Sequence, residues 1–249
     1  MSSSRFPPAG GLAFPPLSRS ALLLIVINAA LWLSLLVLAY LDASRFAWVL
    51  SLFALDPDAV LSGYVFQIVT YMFIHDWRSP MHLLLNMLLV YFFAGPLEQR
   101  WGRTRVLLFA LGAGVAGGAM VMLFALLGGL LGFSGGALTF GFSGAALGML
   151  AAFCILYAEA SILLFFVIPV KAKYLLWLTV GIDLLFWIAP GSDVSFPAHL
   201  GGMLFGVLVA GGGALLWRRI TRRLRYRRIV KEALQVQPKD KVVKGPWVH

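Results

Sequence analysis

The amino-acid sequence predicts an all-α membrane protein: six transmembrane helices, with both termini on the cytoplasmic side. Three observations carry that prediction. The first is composition. Of 249 residues, 61% are hydrophobic and 12% charged, and mean hydropathy is +0.89, whereas soluble domains run about 45–50% apolar and about 25% charged. The second is spacing. Apolar runs near the ~20 residues that a helix needs to cross hydrocarbon fall at 21–41, 81–97, 106–127, from 142 onward, 174–189 and 198–217. The third is the placing of basic residues. With the N-terminus inside, the cytoplasmic segments hold every lysine and arginine except Arg45 and Arg78, which fits the positive-inside pattern and not its reverse.

The elements follow in chain order. Residues 1–20, with their prolines and serines, read as a disordered cytoplasmic arm, 21–217 as the membrane domain, and 218–249 as a basic cytoplasmic tail. The first apolar run is longer than a signal-peptide core and lacks a clear small-residue cleavage site, so it reads as a retained anchor. If the source is bacterial, the membrane is the inner one. The formal net charge of +10 does not point to nucleic acid. It is concentrated in "RRITRRLRYRRIVKE", directly after the last run, where it suits anionic lipid headgroups. The single cysteine, Cys154, can form no internal disulfide and reads as a small packing residue of the fourth run.

Polar residues inside apolar runs are costly, and so are functional candidates. Here they are His82, Asn86, Ser143, Asp183 and His199. All but Asp183 map to the outer ends of their helices. His82 and Asn86 stand at i and i+4, on one helical face. Together they could aim donors into a shared cavity, or simply make a polar contact between helices. His199 precedes Gly202 and Gly206 on roughly one face, and Gly144 and Gly148 form a G-x-x-x-G immediately after Ser143. Two such small-residue seams let backbones come close, and can bring a hydroxyl and an imidazole within hydrogen-bond reach. That pair is the minimal activated nucleophile.

The sequence Gly-Phe-Ser-Gly occurs twice, around Ser134 and around Ser143. Ser143 opens an unbroken helical run, "SGAALGMLAAFCIL", whose free first-turn amides could bind an oxyanion. Ser134 lies in a short stretch punctuated by glycine, poor material for a spanning helix and better suited to a loop. Ser143 is the expected nucleophile.

Three separated motifs resemble the rhomboid family of intramembrane serine proteases: His82-x-x-x-Asn86 with "EQRWG" closing its helix, Gly141-x-Ser143-Gly144, and Ala198-His199-x-x-Gly202-x-x-x-Gly206. The resemblance covers residues 63–217, and "ILLFFVIPVKAKYL" before the fifth run is also family-like. It implies a six-helix rhomboid-like bundle that cuts single-span membrane proteins, with Ser143 as nucleophile, His199 as base, and His82 and Asn86 stabilising the oxyanion. It implies no metal and no cofactor. It also implies a dyad, so that a structural or gating role for Asp183 is expected ahead of a catalytic one. Two positions depart from the family: Phe66-Gln67 stands where Trp-Arg is common, and Leu147 where an aromatic usually lies beneath the histidine. Two rival readings are a catalytically silent relative that binds membrane clients and a small transporter. The first typically lacks the serine or histidine, and the second would call for an inverted repeat that the sequence does not display.

Overall fold

The computed structural model describes residues 15–131, 138–164, 167–189, 195–213 and 226. The chain divides into two units, Met1–Gly211 and Gly212–His249. Of the second, including most of the basic tail, only residues 212, 213 and 226 are described.

The first unit is mostly helical. Helix α1, Arg19–Leu41, starts at Ser18, whose side chain accepts from the Ala21 amide. Two of its mid-helix polar side chains bond inside the helix: Asn28 Nδ2 donates to the Leu24 carbonyl at 2.8 Å and Ser34 Oγ to that of Ala30 at 2.8 Å. That is what an apolar surround demands. Residues 15–20, assigned to the arm from the sequence, are tied down instead. The Pro15 carbonyl accepts from Tyr91 at 2.6 Å, and the Ser20 amide donates to Glu98 at 2.8 Å. Glu98, from the "EQRWG" motif, thus takes one of the unpaired amides that every helix start leaves.

Residues 42–79, between the first two apolar runs, form a folded layer. It holds α2 (Ala43–Phe53), α3 (Pro57–Leu61), α4 (Gln67–Thr70) and a 3₁₀ turn, Tyr71–Phe73. Asp42 accepts from the Ser44 and Arg45 amides and so starts α2. Gln67 anchors the layer from a fully buried position. Its Oε1 accepts from the Asp56 amide at 3.0 Å, and its Nε2 donates to the carbonyls of Ser51 and Leu52 at 3.0 and 3.2 Å. One amide side chain therefore closes the Asp56 amide and two carbonyls of the last turn of α2.

Helices α5 (Pro80–Trp101) and α6 (Arg103–Leu130) follow, separated by Gly102 at φ 84°. With α1, these are the described helices long and apolar enough to cross a membrane by length and composition. Helix α7, Ser143–Leu156, has only 14 residues, about 21 Å at the helical rise against ~30 Å of hydrocarbon. It is apolar all round, and every residue from Gly144 to Cys154 is buried, which is the signature of a central helix. Cys154 sits among this packing.

Between α7 and α8 (Ala172–Ile188) the chain makes an antiparallel hairpin, β1 (Ser161–Leu164) with β2 (Ile168–Lys171), pairing Ser161 with Lys171 and Leu164 with Ile168. This corrects the all-α expectation. Ile162, Ile168 and Val170 suit a strand, and Pro169 cannot continue a helix. The last helix, α9, is Phe196–Leu208, continued by a π-helical turn to Gly213.

Candidate active site

The segment before α7 is held from several directions. Leu55 and Thr139 exchange two backbone hydrogen bonds, at 2.8 and 2.9 Å. The Gly141 amide donates to the Tyr71 carbonyl at 3.0 Å, and the Phe142 amide donates to His75 Nε2 at 3.4 Å. Gly141 has φ +121°, a region that side chains rarely adopt, and a Cβ there would lie 2.8 Å from the His82 ring. The backbone can therefore take this path past His82 only with glycine. Ser143 is then the first residue of α7. The first helical bond runs from the Ala146 amide to the Phe142 carbonyl at 3.0 Å, so the amides of Ser143, Gly144 and Ala145 precede the ladder.

Helices α7 and α9 meet along the glycines of the two seams. A Cβ on Gly202 would overlap the Gly144 carbonyl, and one on Gly206 would overlap that of Gly148. A Cβ on Gly148 would lie 2.9 Å from the Gly202 oxygen, and one on Gly144 3.0 Å from that of Ala198. This approach carries His199, the fourth residue of α9, to Ser143. His199 Nε2 lies 2.7 Å from Ser143 Oγ.

Asp183 lies on the other side of the imidazole. Its Oδ1 is 2.5 Å from His199 Nδ1, and the two side chains are 9% and 14% exposed. The sequence reading set Asp183 apart from the residues at the helix ends; the structure joins it to them. The reason is the rotation of α8. Trp187 stacks on Phe196 with centroids 5.2 Å apart and meets Phe124 of α6 edge-on at 6.4 Å, which turns Asp183 inward. With the carboxylate accepting from Nδ1–H, the Nε2 lone pair is left to accept from the serine hydroxyl.

His82 and Asn86 flank Gly141. A Cβ there would lie 2.8 Å from His82 Nε2 and 3.8 Å from Asn86 Nδ2. Asn86 is buried, and its Nδ2 has no hydrogen-bond partner among the described residues. A buried amide donor without an acceptor is costly, and here it stands beside the start of α7.

His75 was missed. It is buried, its ring lies 5.4 Å from that of His82, and burial, with His82 as a second cause, holds its pKa down to about 3. It is therefore neutral and able to accept from the Phe142 amide. The one signal in the sequence was a histidine between Ile74 and Asp76 in a connecting segment, where solvated histidines are common. Ser134 lies outside the described residues. Leu147 is buried in α7. Among the described residues, no group of three His, Cys, Asp or Glu side chains is placed to hold a metal ion.

A hydroxyl at a helix start, an imidazole accepting from it, a carboxylate behind the imidazole, and free donors nearby form a constellation capable of nucleophilic acyl transfer. Comparison with known proteins agrees on the lineage. Residues 62–215 match the model of the Rhomboid domain. The chain is also 33% identical over 144 residues to Presenilin-associated rhomboid-like protein A, mitochondrial, of Danio rerio, an alignment covering 57% of this chain and 36% of that protein. The chain thus spans about a third of that relative's length. With more than half of the chain matched to the domain, and its helices meeting at the motif residues, this membrane protein belongs to the rhomboid family.

Proposed function

We propose that the chain is an intramembrane serine endopeptidase that cleaves single-span transmembrane proteins in or near the membrane. The observation that carries the reading is the 2.7 Å separation of His199 Nε2 and Ser143 Oγ at the first residue of α7. Ser143 Oγ attacks the scissile carbonyl carbon while its proton passes to His199 Nε2. The carbonyl electron pair moves onto oxygen, where the first-turn amides of α7, Asn86 Nδ2 and His82 are the available donors. The tetrahedral adduct collapses with loss of the C–N bond, and His199 returns its proton to the departing amine. Water activated by the same imidazole then releases the acyl group.

In this reading the six apolar helices α1, α5, α6, α7, α8 and α9 each cross the bilayer, with both termini cytoplasmic. The shortness of α7 supports it, since a helix that begins below the surface leaves room for water above the serine. Backbone away from helices is tolerated at that depth where it lines a watery cavity. The folded layer of residues 42–79 and the segment 138–142 would line it. The basic tail would rest on anionic headgroups.

The experiment is labelling by a fluorophosphonate probe, together with cleavage of a reconstituted single-span substrate. Wild-type protein should do both and Ser143→Ala neither. Labelling that survives Ser143→Ala would overturn the proposal, and a wild-type protein that neither labels nor cleaves would leave the role of client binder.

A further inference from the structure

The hairpin between α7 and α8 divides along its length into a charged base and an apolar end. At the base, Lys171 and Lys173 share the carboxylate of Glu159, at 2.7 Å each, and Ile162 packs against the core of the bundle. Away from the base Leu163 and Ile168 are exposed, and Val167 is 76% exposed. In water such an end would be a liability. A lone two-stranded hairpin is marginal there. Among the described residues β1 and β2 pair only with each other, so each keeps an open edge, flanked by apolar side chains, onto which another chain could pair. The first turns of α8 show a different surround. Tyr174 and Trp177 stand three residues apart on one helical face, both exposed, Trp177 to 74%. The Lys173 ammonium lies 5.3 Å from the centre of the Tyr174 ring. Exposed tyrosine and tryptophan beside lysine at the end of an apolar helix mark the level of lipid headgroups.

We propose that the apolar end of this hairpin lies in the boundary between headgroups and acyl chains of the adjoining leaflet, and that it anchors the start of α8 there. This rests on the topology proposed above, in which α8 spans the bilayer and that leaflet is the cytoplasmic one. Leu163, Val167 and Ile168 bury their side chains at the acyl boundary, about 5–10 Å deep, as the apolar faces of interfacial segments do. Two ammonium groups on one carboxylate leave a net positive charge at the base, which suits anionic phosphate. The hydrocarbon core does not suit the hairpin, because open sheet edges leave backbone groups without partners there. At the boundary that cost is smaller, and Pro169 has no N–H to leave unpaired. The anchor reaches α8 through the backbone. The Ala172 amide donates to the Ala160 carbonyl at 2.9 Å, and the Lys173 amide to that of Ala158 at 3.1 Å. Two of the amides that a helix start leaves free are thus bonded to the chain leading into β1. Whatever depth the hairpin takes, the first turn of α8 takes with it.

The test uses the full chain in liposomes of phosphatidylcholine and phosphatidylglycerol, with a nitroxide attached to Val167→Cys or Ile168→Cys. The native Cys154 is buried and out of the reagent's reach. Relaxation of the label by oxygen, which concentrates in lipid, is compared with relaxation by a nickel chelate, which stays in water. Labels at 167 and 168 should favour oxygen, and one on Ser161→Cys, at the exposed base, should favour nickel. Adding Ile168→Asp should shift the label at 167 toward nickel. Labels at 167 and 168 that favour nickel would overturn the proposal. So would labels shielded from both reagents, the sign of a protein cover such as a second copy of the chain. Ile182→Cys, on an exposed part of α8 about 15 Å from its start, separates the two readings. If its label favours nickel, α8 does not span and the topology falls, taking the anchor with it. If it favours oxygen while 167 and 168 favour nickel, only the anchor falls.

Discussion

Gly202 of α9 lies so close to Gly144 of α7 that any side chain on Gly202 would stand inside the Gly144 carbonyl. The two backbones have no flexible atom between them that could give way. Gly202→Val should therefore separate α7 from α9, lowering the thermal midpoint in detergent and abolishing fluorophosphonate labelling. Overpacking typically costs about 1–3 kcal/mol, and an obstacle made of backbone belongs at or above the top of that range. Gly181→Ala in α8 is the control. Its Cβ would meet nothing within 4 Å, so the change should be tolerated and can gain about 0.5–1 kcal/mol of helix stability.

The two copies of Gly-Phe-Ser-Gly are distinguishable by substitution. Ser134→Ala should keep both cleavage and labelling, because the His199 contact is made by Ser143. Loss in Ser134→Ala together with retention in Ser143→Ala would reverse the assignment.

Asn86→Ala should lower kcat more than it raises KM. The Nδ2 group is buried and without a partner among the described residues, so its acceptor is expected to arrive with the transition state. Removing one donor of this kind elsewhere costs about 10²–10³ in kcat. Steady-state kinetics on a reconstituted substrate checks it, and an unchanged kcat would make Asn86 a packing residue.

The hairpin predicts a pH response away from the site. Glu159 accepts from Lys171 and Lys173, each at 2.7 Å. Hydrogen bonds to these two lysines hold its pKa down to about 2. A depressed carboxylate pKa contributes stability that is complete above the unfolded value and is lost as pH falls through the folded one. Protection of the β1 and β2 amides, relative to their intrinsic exchange rates, should therefore hold at neutral pH and fall between about pH 4.5 and 2. Salt should weaken the same protection, because the pairs are exposed. In Glu159→Gln the acidic transition should vanish.

Much of this architecture was legible because the governing physics is local. Hydropathy adds residue by residue, so the apolar runs located α1, α5, α6 and α8, and the start of α9, to within a few residues. Ser143 and His199 were legible as a pair for a related reason. Each opens a seam of glycines at helical spacing, and two such seams can pack on each other whatever joins them. The hairpin was harder to read, since its apolar residues suit a strand or a buried helix equally well by periodicity. Pro169 was the signal that favoured a strand.

The sequence by itself determined that the chain is a helical membrane protein, which serine begins a helix, and which glycines let that helix meet its partner. All of these depend on composition and on spacings of a few residues. Only the tertiary structure decided what stands behind His199 and what holds the segment before Ser143. Asp183 reaches the imidazole because Trp187, stacked on Phe196, sets the rotation of α8. Residues 139–142 are fixed by Leu55, Tyr71 and His75, from a layer far back in the chain. Hydrogen bonds between remote segments leave no period in a sequence, because their partners are chosen by where the helices pack.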